Sequence, residues 1–84
     1  MHFIYKFIYP YINIKNGKII DHSKKFPKAF ANDAVEALSK KGISEAIIYI
    51  VGKGQNSTLK CTANLKDSRQ RLINIWGLYK AKYK

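Results

Sequence analysis

Twice along the chain an apolar pattern of period two gives way to one of period near 3.6. That switch limits the fold more than any other feature, because alternation suits a half-buried strand and the longer period suits one face of a helix. The first strand-like stretch, Phe3 to Ile14, is rich in aromatic and β-branched residues and runs into Ile14-Lys15-Asn16-Gly17-Lys18-Ile19. Asn-Gly supplies the two positive-φ positions of a type I′ turn, so a hairpin is expected here. With the turn setting the register, Ile14 faces Ile19 and Ile12 faces Asp21, and the strand frays at His22. Pro10 has no amide proton to give, which places it at an edge or a bulge.

The period then changes. Pro27 suits a first helical position, Phe30, Ala34 and Leu38 recur every four residues, and Gly42 suits a C′ cap, so a helix is expected from Pro27 to Lys41. Lys40 and Lys41 in its last turn are accounted for by the helix dipole.

Ala46 to Val51 is an unbroken apolar run, expected to be a central strand with both faces covered. After the Gly52–Ser57 loop, Leu59, Cys61, Ala63 and Leu65 alternate with Thr58, Lys60, Thr62 and Asn64, a strand with one wet face and Cys61 pointing inward. Asp67 with Gln70 three residues on is a variant capping box opening a second helix to about Tyr83. Its apolar arc gathers Leu72, Ile75, Trp76, Tyr79 and Tyr83, flanked by Arg69, Lys80 and Lys84 on one side and by Arg71 and Lys82 on the other.

The expected fold is therefore α+β: an antiparallel sheet of about four strands in β-β-α-β-β-α order, with both helices packed on one face. Eighty-four residues hold one domain, and 46 % hydrophobic residues suffice to fill its core. The double-stranded-RNA-binding fold needs three consecutive strands between two helices, whereas this chain has two and two.

Charge bears on function. Sixteen Lys and Arg stand against five Asp and Glu, a formal net charge of +11, which concentrates anions around the molecule. AT-rich codons inflate Lys, but codons for Asp and Glu are neutral in that respect, so the shortage of carboxylates is the more informative half. Fourteen of the cations are Lys and two are Arg, which favours point-charge contact with phosphate over the bidentate forks that read guanine. The leading expectation is a nucleic-acid-binding module, RNA or DNA, indifferent to sequence. Its contact residues would be Lys24, Lys25, Lys53, Arg69, Arg71, Lys80, Lys82 and Lys84. The alternative is an inhibitor or adaptor, of phage or mobile-element type, that docks on a protein surface by its aromatic face or a sheet edge. In either case the chain is expected to be a monomer or a small homo-oligomer.

Several constellations bear on chemistry. Gly52-Lys53-Gly54 could cradle an anion, yet it lacks P-loop spacing and precedes a strand, so a plain hairpin turn is expected. His22 beside Asp21, near Lys24 and Lys25, is the one cluster that could serve an RNA-cleaving toxin, but neighbours on a strand point to opposite faces. Two His and one Cys without metal-ligand spacing give no metal site, and no cofactor is expected. Cys61 has no disulfide partner and reads as a core thiol in a reducing, cytoplasmic setting. The Phe3–Ile14 stretch, broken by Lys6 and Pro10, lacks targeting-signal features and is too short to span a membrane. Tyr5, Tyr9 and Tyr11, with Phe3 and Phe7, form an aromatic row that could stack bases or floor the core.

Overall fold

The computed structural model describes residues 9–63 and 66–83. Its strands are β1 (Tyr11–Lys15), β2 (Lys18–His22), β3 (Ala46–Val51) and β4 (Thr58–Cys61), and its helices are α1 (Lys28–Lys40) and α2 (Lys66–Tyr79). Short 3₁₀ turns at Gly54–Asn56 and Lys80–Lys82 complete the list. The strands form one antiparallel sheet in the order β2-β1-β3-β4, so β2 and β4 are its edges. The class and element order match the sequence expectation.

Asn16 and Gly17 both have positive φ (55° and 74°), the signature of the type I′ turn that joins β1 to β2. Ile14 pairs with Ile19 as expected. Beyond that pair the register shifts: Asn13 faces Asp21 and Ile12 faces His22, leaving Ile20 as the extra residue of a bulge, 56 % exposed. The reason is electrostatic. Unbroken pairing would set Asp21 opposite the fully buried Ile12, where a carboxylate would lose its water. The bulge turns it to the other face, where its Oδ2 accepts a hydrogen bond from the Tyr11 hydroxyl at 2.7 Å.

Pro27 occupies the N-cap of α1 rather than its first helical position, and its carbonyl accepts from the Ala31 amide at 3.0 Å. The far end is a Schellman motif. The Ile43 amide bonds the Leu38 carbonyl and the Gly42 amide bonds the Ser39 carbonyl, each at 3.0 Å, with Gly42 at φ 74°. Phe30, Ala31, Ala34, Ala37 and Leu38 form the buried face.

The side chains of Ile12, Ile14, Ala46, Ile48, Ile50 and Leu59 cover one face of the sheet, and Phe30, Leu72 and Trp76 press on them from the two helices. The Phe30 ring meets Trp76 edge-on at 5.0 Å and Tyr79 at 5.7 Å, while Trp76 meets Tyr83 at 5.3 Å. A hydrogen bond from the Tyr79 hydroxyl to Asp33 also ties α2 to α1. β3 is central, but its two faces differ: Ala46, Ile48 and Ile50 are buried, whereas Ile47, Tyr49 and Val51 are half-buried. Tyr9 stacks on Tyr49 there, with ring centroids 5.5 Å apart. The aromatics at positions 3, 5 and 7 lie outside the described residues, as do Asn64, Leu65 and Lys84.

Two details of the second half differ from expectation. Asp67 lies inside the first turn of α2, where its charge suits the dipole, and Gln70 does not reach back to cap: its Nε2 donates to Asn74 Oδ1 at 3.0 Å. α2 also stops at Tyr79, short of Tyr83, and the tighter Lys80–Lys82 turn swings the Tyr83 ring onto Trp76. No helix among the described residues is long and apolar enough to cross a membrane.

Candidate nucleic-acid interface

The cations expected to contact a partner fall into separate groups. Lys24 and Lys25 are exposed in the turn between β2 and α1, at the sheet edge opposite β4. Lys53 is exposed between Gly52 and Gly54, in a loop packed against the Lys80–Lys82 turn. Gly54 comes so close to the Tyr83 carbonyl that a Cβ there would sit 3.4 Å away. Lys53, Lys80 and Lys82 are thus carried on neighbouring segments although 27 residues separate the first two in sequence. Arg71 lies apart from them, in a hollow shared with Asp33, Glu36, Lys40, Ile75 and Leu78. Two carboxylates and a second cation share that hollow with it.

Arg69 belongs to a cationic concavity, a groove of about 360 Å³ between edge strand β4 and α2. Lys60, Lys66, Arg69, Gln70, Ile73 and the Tyr49 rim are among its lining residues. Three cations line it, and no carboxylate does among the described residues. Of the five acids, Asp33 binds Tyr79, Asp21 binds Tyr11, Glu36 forms an ion pair with Lys40 at 3.3 Å and Glu45 lines a separate hollow, while Asp67 follows Lys66 in the first turn of α2 without lining the groove.

The fold explains this grouping. β4 alternates, so Leu59 goes to the core while Thr58 and Lys60 face outward. At 100° per residue, Lys66, Arg69, Gln70, Ile73 and Lys80 share one stripe of α2 and its continuation, beside the buried Leu72–Trp76 face. Lys60 and Lys66 were not among the residues expected from sequence. Placing the helix start at Asp67 leaves Lys66 outside the wheel, and Lys60 reads as nothing more than the wet side of a strand until β4 proves to be an edge beside α2.

Cys61 lines the same groove and is half-buried, less enclosed than the alternation suggests. Burial pushes its thiol up, against the opposing pull of the Ala63 amide at 3.3 Å from Sγ and of the Arg69 charge. The net direction favours the thiol over the thiolate. Asp21 and His22 do not form a dyad: Asp21 accepts from Tyr11, and His22 Nδ1 lies 3.1 Å from the Ser23 carbonyl. The described residues contain no group of three or more potential metal ligands. Comparison with protein-family models, with curated proteins and with solved structures finds no match.

Proposed function

We propose that this chain is a small basic module that binds nucleic acid through contacts of lysine and arginine with phosphate, without reading sequence. The observation that carries the reading is the β4–α2 groove, where Lys60, Lys66 and Arg69 converge with no lining carboxylate. The net charge of +11 supports it by drawing polyanions in from a distance. The preponderance of Lys argues for phosphate contact and against base-edge forks. Fluorescence anisotropy with labelled oligonucleotides of unrelated sequence tests this. Affinity is expected to fall steeply between about 50 and about 200 mM salt and to vary little with sequence. Absence of binding at low salt, or strong preference for one sequence, contradicts it.

A protein-docking reading rests on a different patch. Leu78, 78 % exposed, lies with Ile75 beside Asp33, Glu36, Lys40 and Arg71, a mixed apolar and charged surface better suited to another protein than to a polyanion. Protein purified from a cell extract separates the readings: co-purifying nucleic acid removed by salt favours the first, and a clean protein favours the second.

A further inference from the structure

We infer that the β4–α2 groove seats unpaired nucleotides rather than a duplex, an inference that rests on the nucleic-acid reading above. Its starting point is Ile73, which is 45 % exposed on the cationic stripe of α2, between Arg69 and Lys80. A purely electrostatic phosphate track has no use for an exposed isoleucine. A duplex docked by its backbone, without groove reading, meets such a surface with sugar and phosphate and leaves that apolar area wet. An unpaired base offers a flat, weakly hydrated face that covers it, while its own phosphates reach the cations on either side.

Gln70 adds a second feature of the same kind. One amide N–H is engaged by Asn74 at 3.0 Å, and Oε1 and the other N–H have no partner among the described residues. An amide beside an apolar side chain can bond the Watson–Crick edge of a base, which is available only when the base is not paired. Tyr49 at the rim is already stacked on Tyr9, so the seat is assigned to Ile73 and Gln70. The volume, about 360 Å³, matches a small-molecule-sized site. Lys60 on β4 and Lys66 and Arg69 on α2 then hold the backbone from the two walls.

The test compares a short labelled oligo(dT) with the same strand annealed to oligo(dA), at one salt concentration, on the full chain and on Ile73→Ala and Ile73→Phe. The single strand is expected to bind at least about fivefold tighter than the duplex. Ile73→Ala should lose about threefold on the single strand and leave the duplex unchanged, while Ile73→Phe, with a ring to stack, should gain on the single strand. The partial exposure of Ile73 makes both variants compatible with folding, which circular dichroism checks. Equal or tighter duplex binding, or variants that shift both forms alike, overturns the inference and leaves the broader reading standing. Loss of binding to both forms by the unmodified chain removes the broader reading itself.

Discussion

Replacing Ser57 by Ala should destabilise this protein far more than a surface serine would, because its hydroxyl is the hydrogen-bond partner of the core tryptophan. Trp76 is 2 % exposed, and its Nε1 donates to Ser57 Oγ at 3.1 Å. Ser57, itself 5 % exposed, donates a hydrogen bond from its hydroxyl to the Gly54 carbonyl at 2.6 Å. That carbonyl also accepts from the Ser57 amide at 3.1 Å and keeps a partner in the variant. The indole N–H does not. Leaving a buried donor unmade costs about 1–3 kcal/mol, so a loss near 2 kcal/mol is expected. For a domain of this size that lowers Tm by about 8–16 °C.

A double-mutant cycle isolates the bond. Trp76→Phe removes the donor along with part of the ring and should cost about 2–4 kcal/mol through the space it leaves. Ser57→Ala made in that background should then cost about 1 kcal/mol less than in the unmodified chain. Urea denaturation followed by far-ultraviolet circular dichroism measures all four proteins. A Ser57→Ala cost below about 0.5 kcal/mol, or a coupling near zero, would refute the assignment of Ser57 as the polar anchor of the core.

The loop geometry, the raised pKa values and the exposed lysines each set a further expected outcome. Gly52→Ala should destabilise by about 1–3 kcal/mol and by more than Gly54→Ala. Gly52 has φ 94° and its Cβ would lie 3.0 Å from the Asn56 carbonyl oxygen, whereas Gly54 has φ 57° and a nearest contact of 3.4 Å, so equal melting temperatures would contradict the loop geometry. Stability to urea should hold through neutral pH and fall as pH rises above about 9. Burial raises the Cys61, Tyr83 and Tyr49 pKa values, and the Tyr79 hydrogen bond to Asp33 raises that of Tyr79, so the folded state keeps protons that the unfolded chain releases; a flat midpoint to pH about 10.5 would contradict this. Lys53→Ala should weaken nucleic-acid binding no more than Lys82→Ala, within about 0.5 kcal/mol, because both are exposed on adjoining segments outside the groove; a much larger loss at Lys53 in anisotropy titrations would make the Gly52–Gly54 loop a site of its own.

Local signals were legible where one residue type forces one backbone state. Asn16-Gly17 set the hairpin turn, Gly42 set the end of α1, and the spacing of Phe30, Ala34 and Leu38 set its buried face. Features that depend on two segments meeting were not legible. The bulge at Ile20 answers the position of Asp21 against Ile12, a conflict that exists only once β1 and β2 pair. The start of α2 was misplaced because Asp67 and Gln70 match a cap pattern while Gln70 has Asn74 within reach one turn on. The groove itself was invisible in sequence because Lys60 and Lys66 come together only when β4 becomes the sheet edge and α2 folds back along it. Likewise Arg69 and Arg71, two residues apart, read as equivalent cations until the helix directs one to an acid-free wall and the other toward Asp33 and Glu36.

On the proposed reading, a localised set of cations, and not net charge alone, holds the nucleic acid. The salt dependence of binding to a single strand tests it most directly, in the unmodified chain, in Lys60→Ala/Lys66→Ala/Arg69→Ala, and in the charge-matched control Lys24→Ala/Lys25→Ala/Lys28→Ala. Each neutralised phosphate of a single strand contributes about 0.7 to the slope of log affinity against log salt, so removing the groove cations should flatten that slope by about 2, while the control should flatten it by less than about 0.7. Equal flattening by the two triple variants would contradict the account and leave diffuse attraction in its place.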